Sequence, residues 1–199
     1  ELNADIIALQ EVDFPRQDHA PIAPWLAQKT GMIAIGGPVW SREGVGYGNA
    51  LLSRYPVDRV RRWDLSVGRH EPRGALDVEL TICGRTVHVL NTHLGLWPRE
   101  RPQQADRLLE LLSLSRRDLT ILMGDLNEWH GWGKSLRGLR RVFGSPAAPV
   151  TFPARWPVLA LDRIWISPAQ ALLTVEAHDT PRSRLASDHL PVKADIYLP

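Results

Sequence analysis

Residues 119–133, LTILMGDLNEWHGWG, set an apolar run directly before a cluster of oxygen-bearing side chains. Residues 119–123 read as a compact buried strand, Gly124 separates strand from loop, and Asp125 and Asn127 emerge at the strand's tip. A glycine-rich loop over residues 129–133 follows. Taken alone, these residues are also ordinary turn chemistry, because Gly, Asp and Asn favour turns and helix caps whatever the function.

The same arrangement recurs along the chain. In IIALQEVD, Glu11 follows an apolar strand read over residues 6–9, so its carboxylate projects at a strand's C-terminal end, where sites in α/β proteins gather. In LNTHLG, His93 lies at the end of a strand, and in LDRIWIS, Asp162 opens one. In LASDHLPVKADI, Asp188 and His189 stand immediately before the last strand, with Pro191 holding the entry extended. An adjacent carboxylate and imidazole can divide metal binding and proton transfer between them. Each residue also has a plainer reading: Glu11 a solvated loop acid, His93 a hydrogen-bonded structural residue, Asp162 a partner of Arg163 or a turn cap, Asp188 and His189 a surface pair. Independent turn chemistry, however, does not choose only Asp, Glu, Asn and His at five strand ends. Convergent carboxylates with amide and imidazole groups form a site for a hard cation and a phosphate.

Around these motifs the pattern is one of strands and turns. Residues 33–35, 49–53, 57–65, 75–82, 86–94, 161–167, 172–177 and 190–197 read as strands, and residues 21–29, a stretch between 98 and 117, and residues 136–142 read as helices. Leu76, Val78, Leu80 and Ile82 alternate with Asp77, Glu79 and Thr81, a period of two that lays one apolar face on a core. Cys83, Gly84 and Arg85 make the following hairpin turn. On the longest helix, Ala105, Leu108, Leu109 and Leu112 recur at helical spacing, with Glu100, Arg101, Asp106, Arg107 and Glu110 on the other face. The proline cluster at 146, 149, 153 and 157 reads as a surface loop.

Composition narrows the chemistry. The chain has 199 residues, enough for one domain with a real core, and no repeat or low-complexity tract divides it. A single cysteine, Cys83, excludes an intramolecular disulfide and any thiolate-rich metal cage. No apolar run approaches the roughly 20 residues a membrane-spanning helix needs, so a soluble, cytoplasmic protein is expected. The formal net charge is +2, and a pI near 9.0 leaves room for local basic surface, which suits an anionic substrate.

In order along the chain, LQEVD, GNALLSRYP, NTHLG, GDLNEW, LDRIWIS and SDHLP resemble the motifs of the endonuclease/exonuclease/phosphatase superfamily, the deoxyribonuclease I-like fold. The match resembles its small bacterial stand-alone metal-dependent hydrolases most. The resemblance implies an α+β fold: a four-layer α/β sandwich of two packed, mixed, mostly antiparallel sheets flanked by helices, with the site at one edge. It implies Glu11 as the principal Mg²⁺ or Mn²⁺ ligand with Asp188 near the metal, Asp125 orienting or deprotonating water, and Asn127 holding the phosphate. It further implies His189, oriented by Asp162, as a phosphoryl-oxygen stabiliser or base, with His93 touching the phosphate from the other side. The superfamily's first strand, upstream of LQEVD, carries an asparagine that helps bind metal. The present sequence starts after that strand's place, and Asn3 is too near Glu11 to substitute, so a domain lacking its first strand is expected, with a neighbour's edge exposed.

The expected activity is hydrolysis of a phosphodiester by activated water. A nuclease acting on nucleic acid as a monomer leads, a phospholipid or small phosphoester is the second substrate class, and a catalytically idle binding domain the third. Of the 8 tryptophans, Trp97, Trp129 and Trp132 follow directly on site motifs and fit either a substrate rim or loop packing, whereas Trp40, Trp63 and Trp165 read as core.

Overall fold

The structure, a computed structural model, describes residues 1–14, 22–40, 46–113 and 118–198. Ten strands and four helices follow in the order β1 (Ile6–Phe14), α1 (Ile22–Thr30), β2 (Ile33–Trp40), β3 (Gly46–Ser53), β4 (Val57–Asp64), β5 (Gly74–Ile82), β6 (Arg85–His93), α2 (Arg101–Ser113), β7 (Leu119–Asp125), α3 (Lys134–Phe143), β8 (Asp162–Ser167), β9 (Leu172–Ala177), α4 (Ser183–Ala186) and β10 (Val192–Ile196). Pro21 and residues 114–117, within the helices expected from sequence, lie outside the described residues, as does the side chain of Trp40.

Five strands form one sheet in the order β4-β5-β6-β7-β8, with β6 and β7 its single parallel pair. A second layer consists of β1-β3-β2 and the hairpin β10-β9. Apolar side chains facing each other between the layers, among them Leu51, Leu76, Val78, Leu80, Val89, Ile121 and Ile166, make the main core. Helices α2 and α3 cover the outer face of the large sheet through Leu108, Leu136, Leu139, Phe143 and Trp165, while α1 covers β1 and β3 through Ala23. This is the expected four-layer α+β sandwich, with one difference: the second layer is split into two pieces. β1 lies across β6 and β7 and β10 across β8. Between them runs a cleft of about 1190 Å³, floored by Ile121, Met123 and Ile164. Among the described residues the facing edges of β1 and β10 pair with no strand.

Three local expectations change. β1 continues past residue 9, because a bulge between Leu9 and Val12 absorbs an extra residue and keeps the strand paired with β3 to Phe14. The polar face of β5 is not solvated: Asp77 and Glu79 are buried, the first held by His88 Nε2 at 2.6 Å and Trp63 Nε1 at 3.0 Å, the second by Arg61 at 2.7 Å. Hydrogen-bonding partners on β4 and β6 satisfy that face, which period alone cannot show. On α2, likewise, Arg101 is buried, with Nη1 donating to the Leu96 carbonyl at 2.6 Å, and Glu100 is buried just before it. Helix α4 was not expected. Its start is fixed by a reciprocal pair, Thr180 N to Ser183 Oγ at 2.8 Å and Ser183 N to Thr180 Oγ1 at 3.1 Å.

Gly124 makes the closest approach in the large sheet. Its φ is +138°, and a Cβ there would lie 1.8 Å from the carbonyl oxygen of Thr92 on β6. No side chain fits without separating the parallel strands. Gly124→Ala is therefore expected to destabilise the protein by more than about 2 kcal/mol. Urea unfolding checks it: the midpoint should fall at unchanged slope.

Candidate active site

The large sheet brings three of the sequence-selected residues into one row. His93 at the end of β6 is in register with Asp125 at the end of β7, and Asp125 with Asp162 at the start of β8. In-register residues on neighbouring strands point to the same side about 5 Å apart, so the row forms at one edge of the sheet by pairing alone.

Asp162 connects the row to the C-terminal motif. Its Oδ2 lies 2.8 Å from His189 Nδ1 and also accepts the Thr151 hydroxyl. Among the described residues Arg163 donates to the Asp162 backbone carbonyl, at 3.2 Å, while the carboxylate is hydrogen-bonded by His189 and Thr151. The loop carrying His189 is tied down by Leu190 N to Thr151 O at 2.9 Å and Ala154 N to Asp188 O at 2.6 Å, while the Phe152 ring lies 4.7 Å from the His189 ring. Asp188 itself is exposed; its Oδ1 meets Ser187 Oγ at 3.4 Å and it stands outside the cluster below.

Asn127, buried and at φ +48°, folds back over the row. Its backbone N–H donates to Asp125 Oδ1 at 2.7 Å. Its two amide hydrogens face the Leu94 carbonyl at 2.9 Å and His93 Nε2 at 3.0 Å. Because that nitrogen accepts, His93 carries its proton on Nδ1, 3.9 Å from Glu11 Oε1. Glu11 sits in the β1 bulge at φ +55°, a conformation non-glycine residues adopt at a cost, with its carboxylate 71% exposed at the rim.

Charge and burial set the protonation states. Burial, then the Asp162 carboxylate across the strand pair, push the Asp125 carboxyl up to about 6. Burial, then the positive charges of Arg73 and His189, bring the His93 imidazole down to about 3, which keeps it neutral. For His189, burial works against the charged ring, but the Asp162 hydrogen bond and charge outweigh it and raise the imidazolium above the ordinary range.

Ligand atoms of Asp125, Asp162 and His189 lie within 4.8 Å of one another, with the Glu11 carboxylate on the far side of His93. These donors are oxygens and imidazole nitrogens, the set for a hard cation. The exposed Cys83 is in the turn at the opposite end of β5 and β6. A carboxyl raised by burial and by a neighbouring carboxylate, as Asp125 is, is relieved by a cation nearby, so the residues fit a divalent metal.

Two residues of the site escaped sequence reading. Arg73 is buried, donates to the Tyr47 hydroxyl at 2.6 Å and to Glu71 at 2.7 Å, and shares a small cleft with Glu11 and His93. The antiparallel pairing of β5 with β6 puts the residue before β5 beside the strand end that carries His93, a signal a register assignment could have given. Thr151, fully buried in the proline-rich loop, links Asp162 to the His189 loop and carries no such signal.

Comparison with known proteins identifies the family and the fold. The family model described as Endonuclease/Exonuclease/phosphatase family matches residues 1–189. The uncharacterised protein YbhP of Escherichia coli K12 is 32% identical over 99% of this chain and 85% of its own length. An endonuclease/exonuclease/phosphatase family protein from Leptotrichia buccalis superposes with a TM-score of 0.76 at 16% identity, covering 96% of this chain and 86% of that one. D. rerio TDP2, solved with a single-strand DNA product, superposes with a TM-score of 0.65 at 17% identity, covering 96% and 84%. Both structures share the fold. Members of the family are hydrolases of phosphoester bonds, generally dependent on divalent metal, and with its matched length and polar strand ends this chain belongs to the endonuclease/exonuclease/phosphatase family.

Proposed function

We propose that the protein is a divalent-metal phosphodiesterase that cleaves nucleic acid by attack of an activated water. The in-register row of His93, Asp125 and Asp162, with His189 held on Asp162, is the observation that carries this reading. Asp125 accepts the proton of the attacking water; a carboxyl near 6 is ionised at neutral pH yet basic enough for the task. His189, kept protonated and oriented by Asp162, donates to the phosphoryl oxygen on which charge develops. Asn127 holds the phosphate by exchanging its contact to His93 for a phosphoryl oxygen, and neutral His93 supplies the opposite wall. Glu11 would hold Mg²⁺ or Mn²⁺, with Asp188, exposed in the loop before His189, as a further candidate ligand. When bound, the cation neutralises charge on the phosphate. The TDP2 structure with single-strand DNA product favours nucleic acid among phosphodiesters.

Among the described residues, the cleft between β1 and β10 leaves two strand edges unpaired over an apolar floor, the surroundings an added strand requires.

Asp125→Ala and His189→Ala should each lower turnover of plasmid DNA or bis-p-nitrophenyl phosphate by at least about 10²–10³-fold with Mg²⁺ or Mn²⁺ while the circular dichroism stays native. Normal activity in both variants would exclude the mechanism.

Metal dependence has a readout apart from turnover. Millimolar Mg²⁺ or Mn²⁺ should raise the melting temperature of chelator-treated protein, and Glu11→Gln should reduce that gain. An equal gain in the variant would remove Glu11 from the ligand set.

Asp125 also makes a stability prediction. Its folded-state carboxyl, raised from 3.8 to about 6, favours the fold below the unfolded value, and that contribution is lost as pH climbs between the two. The difference corresponds to about 3 kcal/mol at neutral pH. In chelator, Asp125→Asn should therefore be more stable than wild type at pH 7 and nearly equal at pH 4, by denaturant titration, even though it is inactive.

A further inference from the structure

Most of the exposed tryptophans lie on loops that leave or enter the strand ends carrying the site. Trp97 lies four residues past His93, Trp129 and Trp132 follow Asn127, and Trp156 is in the loop whose Phe152 ring meets His189. Their exposures are 61%, 61%, 80% and 79%, which favours the rim over loop packing for Trp97, Trp129 and Trp132. Four indoles left in water on loops of the same sheet edge are candidates for a contact surface.

Two of these rings are backed by imidazoles. His130 stacks on Trp132 at 5.6 Å and 20°, and His70 on Trp97 at 6.0 Å and 29°. Each imidazole lies beside its indole at a small angle and leaves most of the indole face open to another flat group. Cations alternate with the indoles: Arg99 after Trp97, Lys134 after Trp132 and Arg155 beside Trp156 are all exposed, and none forms an ion pair among the described residues. Flat faces interleaved with unpaired positive charge match a chain of flat bases joined by phosphates.

We propose that this rim binds an unpaired nucleic-acid strand, with indoles stacking on bases and the interleaved cations meeting phosphates on either side of the scissile diester. A duplex hides its base faces and leaves the indoles unused. A lipid surface takes exposed indoles too, but the imidazole-backed rings offer a face, which suits a base. The proposal rests on the phosphodiesterase reading only for where the strand is cut.

The test uses fluorescence anisotropy in chelator with a labelled oligothymidylate, the corresponding duplex, and sedimentation with phosphatidylglycerol vesicles. Trp97→Ala, Trp132→Ala and Trp156→Ala should each weaken oligothymidylate binding by about 5–100-fold while leaving the melting temperature and the turnover of bis-p-nitrophenyl phosphate unchanged. Binding should also weaken steeply with salt. Unaltered binding in all three variants, duplex binding as tight as single-strand binding, or vesicle capture without oligothymidylate binding would each overturn the proposal. If wild-type protein cleaves no diester with any divalent metal yet binds the strand through these tryptophans, the phosphodiesterase reading fails and the rim proposal stands.

Discussion

Asp125 and Asp162 face each other on paired strands, and the site depends on keeping these two carboxylates together in a partly dry place. Like charges directly opposite on a sheet repel, and burial strengthens the repulsion. The surroundings offset it group by group. Asp162 shares its charge with His189 and Thr151, while Asp125 takes the Asn127 N–H. What is left unbalanced appears as the raised carboxyl of Asp125. The groups that would relieve it, a proton or a cation, are those that phosphoester hydrolysis has to move or bind.

Holding that row at the sheet's edge takes a second polar element, deep between the layers. Asn91 on β6 is fully buried, accepts from Gln10 Nε2 at 2.7 Å, and donates to the Leu9 carbonyl at 3.1 Å and the Ala50 carbonyl at 2.8 Å. One amide thus joins β6 to both β1 and β3 at the bulge. A buried amide unsatisfied at any of these positions would cost about 1–3 kcal/mol, so the bulge is fixed in register, not merely permitted. Glu11 is the residue that the bulge turns outward. Both Glu11 and Asn127 have left-handed backbones, and neither is glycine. Strain at two of the site's own positions, where asparagine tolerates it and glutamate does so less readily, is accepted for where the side chains end up.

The sequence made the strand ends legible because chemistry there is local: an apolar run stops and an acid, amide or imidazole begins, as at Met123 to Asp125 or Leu90 to His93. The alternation of β5 likewise gave its core face correctly. It could not give the other face, since Asp77 is buried by His88 and Trp63, residues that pairing brings from two different strands. Arg73 and Thr151 were illegible for the same reason. Each is distant in sequence from the group it serves, and the proline-rich segment that looked like a surface loop holds the His189 loop through Thr151 and Ala154. Four-layer packing entered by resemblance, and the division of the second layer by a cleft followed only from which strand edges pair.

The arrangement separates bond breaking from selection. The row is part of the sheet, where register and buried hydrogen bonds leave little freedom, whereas the tryptophans occupy loops that the sheet merely anchors. Loop residues change without disturbing the row, which is how one fold serves many phosphoesters. What such a protein cuts is therefore written less in Asp125, Asp162 and His189 than in the side chains beyond them. In this chain those include exposed indoles, two of them beside imidazoles, with exposed cations near them in sequence. An extended ligand with repeating flat and anionic parts offers a partner to each of them, and on the proposed reading its length, more than the chemistry at the row, sets how tightly it is held.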